Sequence, residues 1–326
     1  MLGSIVIDCT GDADLARQMD VPTMIGRETD HAMRPFAMLF RLGGVDIQKI
    51  VDYVRVHPDQ LQPQHTHDTM HKSGDESVIT RISGFYDLVE QAKALGYLYD
   101  SAHYYRLETL WLDRGVMTCN TSRIYHMNGT DPADLTKGEI QGRDQVQKLF
   151  EFTKKFIPGC ENAFMIDVSP AIGVRETLRI VGDVSVTDEM AYGDVRFDDS
   201  ILTLKTGLVP RDMRKQLDVH MPDPIEGSDK DLLEKYPEQV PREEHTYQLP
   251  FRILVPKDAE GLLVAGRTVS VSHMIDGHTR NMIPCMIFGQ AAGVGAAIAA
   301  RRSISTHNIP FGDVKAELER QGVKEF

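Results

Sequence analysis

The sequence predicts an α/β fold interrupted by a mixed α+β block, and three observations carry that prediction. "SIVIDCTGDADLA" (residues 4–16) reads as strand, turn and acidic helix start. "LLVAGRTVS" (262–270) followed by a long small-residue helix makes a second strand–turn–helix near the other end. Between them a glycine-closed strand and helices at helical spacing read as a larger mixed α+β block.

In the first unit, Ile5, Val6 and Ile7 form a continuous apolar run, expected for a strand buried on both faces of a parallel sheet. "FAMLFRLGGVD" (36–46) is a second strand, closed by Gly43 and Gly44. The polar stretch 57–77 holds His65, His67 and His71 and has no helical period, so a solvated loop is expected there and no metal site. Phe85, Leu88, Val89, Ala92 and Leu95 lie at helical spacing, with Gly96 as the stop. Thr136 to Glu139 ("TKGE") reads as a capping box for a helix with Ile140, Val146, Leu149, Phe150 and Phe156 on its apolar face, ended by "IPG" at 157–159. The Pro-punctuated acidic stretch 221–245 reads as a surface excursion or linker. "YQLPFRILVP" (247–256), the turn "KDAEG" (257–261) and a helix from about Pro284 to Arg302 close the chain.

With 36 Lys and Arg against 48 Asp and Glu in 326 residues, the net charge of −12 argues against nucleic acid and anionic membrane as partners. Cys9, Cys119, Cys160 and Cys285 are widely separated, which fits a reducing, cytoplasmic setting and no disulfide framework or zinc knuckle. The stretch "GQAAGVGAAIAA" (289–300) is too short to span a membrane. The triplets at Asn120 and Asn128 have no secretory context and are discounted as glycosylation sites.

Four stretches carry chemistry. The strand that delivers Gly11 to a helix start places backbone amides at the edge of a sheet, where α/β folds bind nucleotides. Asp12 either meets ligand hydroxyls there or caps the helix. Gly266, with Arg267 beside it, permits close approach and local positive charge, or is an ordinary strand end. Pro284 suits the first turn of a helix whose positive end favours a group that becomes anionic. Gly289, Gly293 and Ala297 recur every four residues, a smooth face expected to pack tightly on a sheet. Arg175, Glu176 and Arg179 form either a structural ion pair or a clamp for a substrate carboxylate. Cys285 is expected to be a small buried hydrophobe with no redox role.

Taken together, "VIDCTGDADLA", "RPFAMLFRLGGVD", "GVRETLRIVGD", "YQLPFRILVPKDAEGLLVAGR" and "GHTRNMIPCMIFGQAAGVGAA" resemble, in order, the FAD-dependent oxidoreductase family of the glutathione-reductase-like flavoproteins. The resemblance implies a flavin domain split by an inserted mixed-sheet substrate domain: residues 1–30 and 250–326 against 31–249. It implies FAD contacts at Thr10, Gly11 and Asp12 on the adenosine side and at Gly266 and Arg267 by the pyrophosphate and ribityl. Met282, Ile283 and Pro284 would sit at the ring, where the helix start suits the N1–C2=O edge of a reduced flavin. Arg175, Glu176, His273, His278 and Arg280 are the candidates that face substrate, with His273 or His278 moving a proton. The implied reaction passes hydride or electrons between flavin N5 and a small-molecule substrate.

The family's opening G-x-G-x-x-G unit and its ribose-binding acid have no counterpart here. "GVGAAI" fails the pattern because Ile298 occupies the sixth position. The expectation is therefore an incomplete Rossmann-like FAD-binding domain, the C-terminal portion of the family's fold. A separate chain supplying the missing half is one partner to look for, and a homo-oligomer is left open. The alternative is a non-catalytic fragment or partner subunit that does not bind FAD by itself.

Overall fold

The structure is a computed structural model and describes residues 3–61, 78–205 and 246–324. Its contacts divide the chain into two units, Met1–Arg34 with Glu176–Phe326, and Pro35–Arg175. His65, His67, His71 and the stretch 221–245 lie outside the described residues.

In the first unit, β1 (Val6–Asp8) leads through the predicted turn to α1 (Asp14–Gln18), and β2 (Thr23–Ile25) follows. The second unit then runs β3 (Phe40–Gly43), α2 (Ile47–Val56), β4 (Val78–Gly84), α3 (Tyr86–Ala94), β5 (Tyr105–Trp111), β6 (Val116–Cys119), α4 (Pro132–Phe156) and β7 (Phe164–Val168). Its strands form one antiparallel sheet in the order β4-β5-β6-β3-β7. Strand alternation, interrupted on β5 by a bulge at Thr109, sends Leu42, Ile82, Leu107, Leu110 and Met117 into one core with Ile50 and Val54 of α2, Val89 of α3, and Leu149 and Phe152 of α4. A row of register partners on the sheet, Arg81, Glu108, Thr118, Arg41 and Asp167, is polar by the same alternation.

Two expectations for α4 are corrected. Asp131 caps it by accepting from the Ala133 amide, with Pro132 in the first turn, so Thr136 and Glu139 lie inside the helix. Thr136 bonds back to the Pro132 carbonyl and Glu139 accepts from the Ile172 amide. Ile140 is 66% exposed, and the buried side runs through Gly138, Gly142, Val146 and Leu149. A Cβ at Gly138 would stand 2.8 Å from the Phe36 ring. Counting large apolar residues misses a face whose contact depends on the lack of a side chain.

The first unit resumes with β8 (Leu178–Ile180), α5 (Asp188–Tyr192), β9 (Ser200–Lys205), β10 (Thr246–Pro250), β11 (Leu262–Val264), α6 (His273–Thr279), α7 (Met282–Arg302) and α8 (Phe311–Arg320). β8 pairs with β2 and β9 with β10, both antiparallel, while β1 lies parallel to β11. The unit boundaries therefore fall after Arg34 and after Arg175, and β8 and β9 leave the 31–249 block that the sequence suggested. The physical reason is pairing: β8 is buried throughout and needs the edge that β2 offers.

β1 is not buried on both faces. Val6 is 39% exposed, and among the described residues the edge of β1 away from β11 carries no strand.

α7 is longer than the 289–300 stretch suggested. Its 21 residues are long and apolar enough to cross a membrane by length and composition alone. Its Phe288, Ala291 and Ala292 stripe sits in the core with Leu263, Val269 and Val271. Gly289, Gly293 and Ala297 face elsewhere and, with α8, line an open groove of about 640 Å³. That corrects the expected tight packing on a sheet, because the core contact belongs to the neighbouring stripe.

Candidate functional site

The end of β1 holds the turn together through a residue the sequence reading passed over. Asp8 is fully buried, and its Oδ1 accepts from the Thr10 amide at 2.9 Å and the Thr10 hydroxyl at 2.6 Å. Its Oδ2 accepts from the Leu15 and Ala16 amides, each at 3.0 Å, so Asp8 caps α1 from outside the helix. The position next to the helix is Ala13, left-handed at φ 53° and without a side-chain cap. Asp12 is therefore not the cap. Its carboxylate meets Arg267 Nη2 at 3.0 Å, and Arg267 Nε donates to the Gly11 carbonyl at 2.7 Å.

Thr10, Gly11, Asp12, Gly266 and Arg267 are thereby brought together at the carboxyl ends of the parallel pair β1 and β11, where α/β sheets place ligands. Gly266 is at φ 102°, a backbone state that suits glycine. A Cβ built on it would meet nothing within 4 Å, so the chain bends there toward open space.

A second constellation lies in the same unit. Glu176 and Arg179 form a buried ion pair. Arg179 also donates to the carbonyls of Val271 and Gly26, each at 2.8 Å, and to Glu28 at 3.3 Å. Glu176 accepts from the Arg34 amide at 3.2 Å and meets His273 Nδ1 at 2.8 Å. The Arg34 guanidinium reaches the His273 carbonyl at 2.6 Å and stands 3.4 Å from Asp276, one turn before Arg280 on α6. Arg280 Nε lies 3.9 Å from the same carboxylate.

Burial drives the protonation states. It holds His273 well below the ordinary imidazole range, helped by Arg34 and Arg179, which corrects the expectation of a shuttle titrating near neutrality. His273 Nε2 is sealed from water and has no hydrogen-bond partner. Burial raises Glu176 despite Arg179 and Arg34. Burial, then Arg34, brings Arg280 down to about 10.

Burial, with Glu176 nearby, pushes Asp276 up to about 7. An unfolded aspartate titrates near ~3.9, so between the two values the fold keeps a proton that the unfolded chain has lost. Asp276 therefore costs stability as pH rises through that window, with a slope of at most about 1.4 kcal/mol per pH unit. His273 has the opposite sign, losing stability as pH falls below ~6.5. Asp276→Asn is expected to flatten the decline between pH 6.5 and 7.5, the His273 contribution being common to both proteins, and urea unfolding midpoints across that range check it. Parallel curves for the two proteins would show that Asp276 does not titrate there.

The α6–α7 junction supplies the remaining predicted residues. Asn281 precedes α7 but does not cap it, since its amide donates instead to the His278 carbonyl at 2.9 Å. The Met282 and Ile283 side chains at the helix start are 82% and 71% exposed, while Pro284 is buried. His278 Nδ1 meets the Tyr247 hydroxyl at 3.2 Å. Cys285 is half-buried with its thiol 3.5 Å from the Thr279 carbonyl, and burial raises its pKa, so it behaves as a packed thiol. Arg175 belongs to the other unit, where it donates to the Pro35 carbonyl. Neighbours in sequence thus go to different units.

Asp8, Glu28, Arg34 and Asp276 were not singled out from sequence. Asp276 and Arg280 are four apart, a helical ion-pair spacing that could have flagged the first. Arg34 and Glu28 carry no such signal, because their partners lie more than 140 positions away.

Parallel strands ending in a glycine-lined turn, beside an uncapped helix start, define an α/β protein built to hold a cofactor. The chain belongs to the FAD dependent oxidoreductase family, whose profile matches residues 1–318, and FAD is its cofactor. No curated protein and no solved structure matches it. The residues present fit FAD on two counts: the open cradle at Gly266 admits a close ligand, and the uncapped start of α7 leaves amides for an acceptor.

Proposed function

We propose that this chain is a flavin-dependent oxidoreductase of the glutathione-reductase-like type, exchanging hydride or electrons between flavin N5 and a small-molecule substrate in the cytoplasm. The observation that carries the reading is the uncapped start of α7, with Met282 and Ile283 exposed upon it. Bound FAD supplies the redox chemistry, and the protein supplies position and electrostatics. In this reading Thr10 and Gly11 line the adenosine side, and Gly266 lets the pyrophosphate approach the backbone. The Met282 and Ile283 amides stabilise negative charge on the N1–C2=O edge, which a helix start does without reorganisation. Arg280, with its side chain 24% exposed, holds a substrate carboxylate. His278 moves the proton, while His273 orients Glu176 from within the core. The four free thiols fit the reducing compartment.

Arg267 is shared between this role and Asp12. A phosphate must compete with that carboxylate, so Arg267→Gln is expected to weaken FAD binding by about tenfold and Asp12→Asn to tighten it severalfold. Flavin fluorescence quenching during FAD titration, with the visible spectrum of the purified chain, checks both. A titration without saturation, or one indifferent to both substitutions, sinks this placement of FAD.

The free edge of β1 favours a second reading, in which another chain or segment carrying a G-x-G-x-x-G strand pairs there and completes the site. A chain colourless alone that turns yellow when co-expressed with its neighbouring reading frame selects this reading over the first.

A further inference from the structure

The unit Pro35–Arg175 carries a charge imbalance that the flavin reading does not use. On β5, Arg106 clamps Glu108, its Nε donating at 2.7 Å. From β4, Arg81 reaches the same carboxylate at 3.4 Å. The Asn120 amide donates to the other oxygen of Glu108 at 3.1 Å, which explains in structural terms why this asparagine is conformationally tied. Asn120 in turn joins a third guanidinium. Arg123 Nη1 donates to the Asn120 carbonyl at 3.3 Å and the Ser122 carbonyl at 2.6 Å, and Nη2 to the Tyr104 hydroxyl at 3.1 Å.

Arg123 is only 3% exposed, and each of its hydrogen-bond partners is neutral. Its Nε has no partner, nor does the buried Tyr99 hydroxyl near enough to feel its charge. A guanidinium taken out of water is normally matched by a carboxylate, because desolvating the charge alone is expensive. Arg81 and Arg106 share one carboxylate and Arg123 has none, which leaves two positive charges unmatched among these groups in a chain of net charge −12. Burial, and then Arg106, pull Arg81 below its ordinary value. Burial works to raise Glu108, yet Arg106, Asn120 and Arg81 hold it below the usual carboxylate range, so its charge is fully committed.

We propose that Arg81 and Arg106 form a binding site for the oxyanion group of a small molecule, a carboxylate or a phosphate, with the buried Arg123, linked to them through Asn120 and Glu108, adding to the positive field. The Arg81 side chain is 42% exposed and offers the open fork, whereas Arg106, 15% exposed, spends Nε and Nη2 on Glu108 and contributes mainly its charge. The planar guanidinium suits two-pronged contact with either anion. Glu108 holds the two forks in place, and Asn120 ties Glu108 to Arg123. The site lies wholly within one unit and stands independently of the FAD reading.

The test is thermal unfolding of the full chain in sodium succinate and in sodium phosphate, each against sodium chloride at equal ionic strength. A saturable rise in Tm with one or both anions is expected, with apparent Kd on the order of millimolar. Succinate alone acting would identify a carboxylate ligand, and phosphate alone a phosphate. Arg81→Gln and Arg106→Gln are each expected to weaken the response by about fivefold or more, while Arg320→Gln, an exposed arginine of the other unit, leaves it unchanged. Equal responses to all three salts would overturn the proposal, as would responses that survive both substitutions or vanish with Arg320→Gln. Should Arg106→Gln fail to fold, the more exposed Arg81→Gln decides alone.

Discussion

Replacing Arg179 by methionine is expected to lower the unfolding free energy by roughly 3–5 kcal/mol. Arg179 is completely buried, and its guanidinium joins three segments: it reaches Glu176, the Gly26 carbonyl after β2, and the Val271 carbonyl ahead of α6. Methionine fills much of the volume but leaves two carbonyls without a donor and Glu176 with a poorer counter-charge. Most of the loss comes from those stranded groups and little from the missing attraction itself. The double substitution Arg179→Met with Glu176→Gln is accordingly expected to cost less than the sum of the two. Urea unfolding of the four proteins of this cycle checks it. Additive losses would show that the two side chains do not form one unit of stability.

Asp8→Ala is expected to cost about 2–4 kcal/mol, because four donors lose their acceptor at once. Two of them are the Leu15 and Ala16 amides at the start of α1, and two belong to Thr10 in the turn. α1 has only five residues and no cap of its own, so it lacks the length to stand without this anchor. Asp8→Asn keeps one acceptor and is expected to lose roughly half as much. Hydrogen exchange at Leu15 and Ala16, read beside urea unfolding, separates local fraying from global loss. Unchanged protection of both amides in Asp8→Ala would show that α1 is held by other contacts.

Local signals were read correctly where the physics is local. The strand–turn–helix at 6–18, the helix ending at Gly96 and the strand ending at Gly266 depend on apolar period and glycine placement, which neighbouring residues determine. Failures arose where a choice among equivalent local options was made elsewhere in the fold. Asp12 and Asp8 are both plausible caps for α1, and Arg267, some 255 positions away, draws Asp12 off. Thr136 and Glu139 match a capping box, but Pro132 and Asp131 start the helix a turn earlier. Gly289, Gly293 and Ala297 were assigned the core-facing role that Phe288, Ala291 and Ala292 hold.

By itself, the sequence determined the α/β ends, a mixed α+β block between them, the family and its FAD cofactor, because each rests on short-range pattern or on motifs in order. Tertiary structure alone decided the rest. It buried His273 and so removed it from neutral titration, separated Arg175 from Glu176 into different units, and gathered Arg34, Glu176, Arg179 and Asp276 into one network. The reason is the range of the forces. Periodicity and turn chemistry act over a few residues, whereas desolvation and ion pairing depend on which distant side chains share a dry space.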